Sequence, residues 1–160
     1  HHESSNKKLS ESDQFVLLDF GAKVNGYCSD MTRTLLTKNA SDRAKKIYQT
    51  VLAAQKKAID YLGSGSDPEA KTVAKIANDY IVSQGFEEIP HGLGHGIGIE
   101  VHEKPTLSPK SKDKLVKNNV FTIEPGIYVP GFGGVRIEDD FILSDKLEQL
   151  TKSQKELIEI

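Results

Sequence analysis

Phe15-Val16-Leu17-Leu18-Asp19-Phe20-Gly21-Ala22-Lys23-Val24-Asn25-Gly26-Tyr27-Cys28-Ser29-Asp30-Met31-Thr32-Arg33-Thr34-Leu35-Leu36 has the pattern of two strands around a tight turn. Asn25-Gly26 is the turn signal, because both residues tolerate positive φ. Phe15 to Asp19 is an apolar run ending in an acid, and Tyr27 to Leu36, rich in Thr and aliphatics, is the return strand. A two-residue loop pairs Val24 with Tyr27, Gly21 with Asp30 and Asp19 with Thr32. Asp19 and Asp30 then become diagonal neighbours on one face, roughly 5–8 Å apart at Cβ. Two carboxylates so placed repel each other, and a metal ion between them removes that cost. The plainer alternative is a polar strand face carrying two exposed acids.

Outward from the hairpin, residues 1–14 are polar and predict a loop. Ser41 or Asp42 can cap a helix, whose apolar stripe runs through Ala44, Ile47, Val51, Ala54 and Ala58 and stops at Gly63. Ser66-Asp67-Pro68-Glu69 predicts a second helix start with Pro at its first position. Ala70, Val73, Ala74 and Ala77 continue it and Gly85 ends it. From Gly92 the texture becomes glycine-dense with short alternating runs, predicting strands at about 96–102, 120–129 and 134–143. A hairpin, two helices and then several strands is an α+β order.

Bulk properties exclude several classes. A chain of 160 residues suits one compact domain, and 37% hydrophobic with 28% charged residues suits a globular fold. A net charge of −2 gives no footprint for nucleic acid or a membrane surface, and no apolar run reaches the length of a membrane span. Cys28 is the single cysteine, which precludes an internal disulfide and points to a reducing, cytoplasmic setting. The start at His1-His2, with no Met, is expected of a piece of a longer polypeptide or of a tag remnant.

The chemistry-bearing residues gather in three places. His91, His95 and His102 lie within twelve residues of glycine-rich sequence, Pro90-His91-Gly92-Leu93-Gly94-His95-Gly96-Ile97-Gly98-Ile99-Glu100-Val101-His102-Glu103, where glycines let the backbone approach a ligand. Glu124 follows the apolar Val120-Phe121-Thr122-Ile123, and Glu138 lies in Val135-Arg136-Ile137-Glu138-Asp139-Asp140-Phe141. An acid in an apolar strand is costly unless paired or coordinated, or unless it faces outward from a half-buried strand. Asp19, Asp30, Glu124 and Glu138 with one imidazole form an oxygen-rich donor set. Four carboxylates balance two divalent cations, and such a set suits Mn²⁺, or Co²⁺ in its place, better than the Cys/His sets of structural zinc. Two such ions can hold a bridging hydroxide and polarise a carbonyl.

Leu18-Asp19-Phe20-Gly21, Ser29-Asp30-Met31-Thr32-Arg33-Thr34, His91-Gly92-Leu93-Gly94-His95-Gly96-Ile97-Gly98, Val101-His102-Glu103, Thr122-Ile123-Glu124-Pro125-Gly126 and Arg136-Ile137-Glu138-Asp139-Asp140 together resemble the motifs of the metallopeptidases with the pita-bread fold. Six motifs in order are specific, and the Arg-x-Glu-Asp run resembles the proline-specific branch, the Xaa-Pro dipeptidases and aminopeptidases P. The resemblance implies an exopeptidase acting on small peptides with proline second, with two divalent ions, Mn²⁺ first and Co²⁺ or Zn²⁺ as alternatives. It implies that Asp19 is a bidentate ligand of one metal, that Asp30 and Glu138 bridge both, and that His95 and Glu124 bind the other. Glu124 would also be the acid/base group, His102 and His91 further active-site histidines, and Arg136 an arginine orienting the acidic ligands. The rivals are a methionine aminopeptidase-like enzyme and a non-catalytic peptide-binding relative. The same resemblance implies that residues 1–160 are most of a catalytic domain truncated at its N-terminal side. The usual N-terminal domain would then be missing, and the full-length protein would be a homodimer. His1 or His2 either matches a family histidine that precedes the first metal aspartate or belongs to a tag.

Overall fold

The computed structural model describes residues 14–65 and 68–160. The polar stretch 1–13, with His1 and His2, and the pair Ser66-Asp67 lie outside the described residues.

Strands β1 (Phe15–Val24) and β2 (Tyr27–Leu36) form the hairpin in the register that the turn dictates, with Val24 opposite Tyr27, Gly21 opposite Asp30 and Asp19 opposite Thr32. Asn25 and Gly26 both take positive φ, 51° and 87°, so the turn twists with the strands it joins. Helix α1 (Asp42–Gly63) starts where Ser41 Oγ accepts the amide of Ala44, and its stripe Ala44, Ile47, Val51, Ala54, Ala58 is fully buried. Helix α2 (Ala70–Ser83) packs on α1 through Ala70, Val73, Ala74, Ala77 and Ile81. It ends as a Schellman turn. Gly85 sits at φ 86°, its amide donates to Val82 and the amide of Phe86 donates to Ile81.

The start of α2 corrects the sequence reading. Pro68 is not its first residue. Glu69 holds the cap position without a side-chain cap bond, and residues 68–69 stay extended because Leu115 donates to the Pro68 carbonyl and Glu69 bridges Lys114.

The remaining chain builds a five-stranded antiparallel sheet, ordered β4-β3-β5-β8-β9, and a two-stranded ribbon of β6 and β7. The members are β3 (Gly94–Gly96), β4 (Glu103–Leu107), β5 (Val120–Ile123), β6 (Gly126–Val129), β7 (Gly133–Arg136), β8 (Asp139–Leu143) and β9 (Leu147–Gln149). The α+β order holds, but all three strands expected after Gly92 are revised. The one at 96–102 shrinks to β3, because a bulge after His95 turns the chain out into a loop at 97–102. β4 was hidden by Pro105, which a sheet edge accommodates because no partner needs its missing N–H. The runs 120–129 and 134–143 each break in the middle. β5 pairs with β8 as far as Ile123–Asp139, and β6 pairs with β7 from Gly126–Arg136 onward. Glu124-Pro125 and Ile137-Glu138 occupy the two facing gaps. Among the described residues no helix is long and apolar enough to cross a membrane.

Two glycines test the helix ends. Gly85→Ala places a side chain at φ 86° and should cost about 1 kcal/mol, whereas Gly63→Ala, at a helical position with open space around its Cβ, should gain about 0.5–1 kcal/mol. Urea unfolding of the two variants reads the opposite signs; equal effects would contradict these backbone assignments.

Candidate metal centre

The hairpin supplies two of the acids. Asp19 and Asp30 bring one oxygen each to within 4.8 Å of a Glu138 oxygen. His95, Glu124 and Glu138 form a second group with the same closeness, so Glu138 belongs to both. His95 Nε2 lies 3.4 Å from Glu124 Oε1, 3.8 Å from Asp30 Oδ2 and 4.0 Å from Glu138 Oε1. Two donors bonded at 2.0–2.2 Å to one ion stand about 3–4 Å apart, which is this spacing.

Local structure explains the aim of each side chain. Gly94 and Gly96 flank His95 on β3, and a Cβ on either would fall 2.0 Å from the Thr122 carbonyl or 2.1 Å from that of Lys104. Glycine therefore lets β3 lie close between its neighbours. His95 Nδ1 donates to the Gly96 carbonyl at 3.0 Å, which leaves Nε2 bare and facing the acids. Glu124 and Glu138 point inward because each stands in a strand break. The amide of Glu124 is held by Leu93, and that of Glu138 by Thr32 on β2. Thr32 Oγ1 also donates to Glu138 Oε2 at 2.6 Å, and Thr122 Oγ1 donates to Glu124 Oε1 at 3.3 Å.

Arg136 stands beside the acids. Its guanidinium donates to Asp19 Oδ2, to Thr32 Oγ1 and to the Tyr128 hydroxyl, and Nε is 3.9 Å from Glu124 Oε2. His91 is brought to the cleft but is already committed. Nδ1 donates to the Gly92 carbonyl at 2.7 Å, so Nε2 accepts from the Tyr128 hydroxyl at 2.9 Å. Burial lowers its pKa and keeps it neutral. His102 is exposed at the rim, its ring 4.3 Å from that of His95, with one donor atom within 4.8 Å of both His95 and Asp30.

These groups line a cleft of about 890 Å³, with Leu17, Phe20 and Val101 forming an apolar wall. Four carboxylates in it face one fixed positive charge, Arg136, among the described residues. Burial first, then neighbouring charge, pushes Glu138 up to about 8, and burial likewise pushes Glu124 up to about 7 despite Arg136. Asp30 is raised by burial and by Asp19. Convergent acids that resist ionisation together are the donor chemistry that hard divalent cations satisfy, so the residues fit divalent metal.

A family model, metallopeptidase family M24, matches residues 1–145. The chain belongs to that family. It is 42% identical over 160 residues to an Xaa-Pro dipeptidase of Pyrococcus horikoshii, covering 99% of this chain and 45% of the relative. An uncharacterised peptidase of Bacillus subtilis is 43% identical over 98% of this chain and 44% of its own length. The crystal structure of the Pyrococcus horikoshii dipeptidase superposes with a TM-score of 0.92 over 100% of this chain and 45% of that one, at 42% identity. That of an X-Pro aminopeptidase from Thermotoga maritima gives 0.84 at 37% identity, covering 91% and 42%. The chain thus folds as part of the pita-bread α+β architecture of family M24 and spans about 45% of the length of these relatives.

Sequence reasoning missed Thr32, Thr122, Tyr128 and Asp140 as parts of the site. Thr32 carried a usable signal, since it stands opposite Asp19 in the register. Asp140 carried one too, as a further acid beside Glu138. It is buried and pushed up to about 6 by that burial, and its Oδ2 accepts the amide of Asp30. Tyr128 showed no sequence signal, because its partner His91 is remote in the chain and its bond to Arg136 depends on the β6–β7 pairing.

The shifted carboxyls set a pH dependence. Both Glu124 and Glu138 hold protons more tightly in the folded chain than their ordinary value of 4.5. In metal-free protein their contribution to stability is therefore full below about pH 4.5 and is lost as pH rises through about 7 and 8. Metal needs the deprotonated forms, so its stabilising increment grows over the same interval. Thermal melts from pH 5.5 to 8.5, with chelator and with Mn²⁺, should show the two curves diverging as pH rises. Curves that converge toward alkaline pH would contradict the assignment.

Proposed function

We propose that the protein is a metal-dependent exopeptidase that hydrolyses the Xaa-Pro bond of dipeptides or short peptides. The supporting observation is the pair of donor groups sharing Glu138, in a chain similar to Xaa-Pro dipeptidases and an X-Pro aminopeptidase. Asp19, Asp30 and Glu138 would hold one divalent ion and His95, Glu124 and Glu138 the other, with Asp30 within reach of both groups. Mn²⁺ is the preferred pair of ions, with Co²⁺ or Zn²⁺ as substitutes. When bound, the ions acidify a water and act as Lewis acids toward the peptide carbonyl.

The chain's own residues do the rest. Glu124, a carboxylate on the cleft floor beside His95, takes the proton of the attacking water and passes it to the proline nitrogen as the peptide bond breaks. His102, exposed at the rim beside His95, donates to the carbonyl oxygen as charge develops there. Neutral His91 and Tyr128 hold Arg136 from behind, and Arg136 keeps Asp19 aimed inward. The bond to proline is a tertiary amide with no N–H, so a cleft can read both that lack and the ring. Residues 1–160 make up most of the catalytic domain of a longer, homodimeric, cytoplasmic enzyme.

The test uses full-length protein with Mn²⁺ and three substrate sets: Xaa-Pro dipeptides, longer Xaa-Pro peptides and Met-initiated peptides. Turnover confined to the first two is expected; preference for the third, or no turnover of any, would sink the proposal. Variants assign the roles. Glu124→Gln should lower the single-turnover rate by about 10²–10⁴-fold, with a smaller loss of metal. His102→Ala should lower the rate with metal content near normal, and Asp30→Asn should remove both. Metal loss in His102→Ala together with full metal and activity in Asp30→Asn would overturn these roles.

A further inference from the structure

The acid next to Glu138 faces the other way. Asp139 is completely buried, and each of its oxygens is bonded twice. Oδ1 accepts from Arg33 Nη2 at 2.6 Å and from Thr151 Oγ1 at 2.8 Å. Oδ2 accepts from Gln55 Nε2 at 3.0 Å and pairs with Lys155 Nζ at 3.0 Å. A buried carboxylate is tolerable only with such complete pairing. Two of these four partners, Thr151 and Lys155, come from the segment after β9.

That segment also holds Arg33. The guanidinium has five N–H groups, and all five are committed. Nε donates to the Gln154 carbonyl, and Nη2 divides between Asp139 and the Ser153 carbonyl. Nη1 donates to the carbonyls of Thr32, at 2.9 Å, and Glu138, at 2.6 Å. Thr32 and Glu138 are the pair whose hydroxyl–carboxylate bond aims Glu138 into the cleft. Thr151 Oγ1 further accepts the amide of Asp140, whose carboxylate holds the amide of Asp30. Lys155 Nζ also reaches Gln55 and Gln149, closing the network across α1 and β9.

We infer that residues 149–155 are a positioning strap for the metal centre: through Asp139 and Arg33 they fix the backbone from which Glu138 and Asp30 reach the ions. Metal affinity then depends on Lys155 and Thr151, side chains that never touch metal and that lie beyond the residues matched by the family model. The inference rests on the two-metal reading proposed above. It differs from a purely structural role because a tail that merely covers the core would alter overall stability and leave the donor geometry of folded molecules unchanged.

The experiment is Mn²⁺ titration calorimetry on full-length protein, with melting of the chelated form as the measure of folding. Lys155→Met should weaken Mn²⁺ binding by about 10–100-fold, the range for residues that orient metal ligands. Lys155→Arg should restore most of the loss. Lys45→Met breaks a different tail ion pair, Lys45–Glu159, on the exposed side of α1. It should leave the Mn²⁺ affinity as it was. Thr151→Val, a milder change, should weaken binding in the same direction and serves if Lys155→Met does not fold. Wild-type affinity in folded Lys155→Met, or in Thr151→Val where Lys155→Met does not fold, overturns the inference, as does an equal loss in Lys45→Met. A wild-type protein that takes up no Mn²⁺ would instead overturn the two-metal reading itself.

Discussion

Glu124 and Glu138 approach the same imidazole nitrogen from two strand breaks, and Asp30 reaches it from the hairpin. The mutual repulsion of these acids is the constraint around which the structure is arranged. Burial first, and Coulomb repulsion after it, favour the protonated forms, and Arg136 alone does not offset them. A fold that keeps these groups together must hold each one rigidly, since nothing in their own interaction does. The surrounding bonds do this by gripping backbone amides and carbonyls more than the carboxylates themselves. Leu93 grips Glu124, Thr32 grips Glu138 and Asp140 grips Asp30.

The arrangement is layered by charge. The cleft floor is acidic and the imidazole of His95 is oriented by a backbone carbonyl. Around it stand neutral hydroxyls, Thr32, Thr122 and Tyr128, each donating to or accepting from a group that faces the cleft. Outside these lies a fully paired network of Arg33, Asp139 and Lys155. Leu17, Phe20 and Val101 add an apolar wall to this cleft.

How much of this the sequence disclosed depends on how local the physics is. The hairpin register followed from Asn25-Gly26 alone, because a two-residue turn leaves no freedom in the pairing. The diagonal placement of Asp19 and Asp30 came with it. The stripe of α1 and the end of α2 were equally legible, being set by periodicity and by one glycine. The strand breaks at Glu124 and Glu138 were not read, although Pro125-Gly126 marks the first of them, because each is set by the switch of partner from β5–β8 to β6–β7, a long-range matter. Pro105 disguised β4, whose tolerance of proline depends on its being an edge. The start of α2 was set by Leu115 and Lys114, far along the chain, over local capping signals. The Arg33–Asp139–Lys155 network was invisible for the same reason: its partners are long-range, and Asp139 reads as one more acid in an acidic run.

The central claim is that five side chains from separate elements converge to bind two divalent ions. Anomalous diffraction from crystals of the full-length protein grown with Mn²⁺ tests it most directly. The account predicts two manganese peaks, one between Asp19, Asp30 and Glu138 and the other between His95, Glu124 and Glu138. A map with no peak in the cleft, or with manganese bound by other residues while these five stay apart, would contradict it.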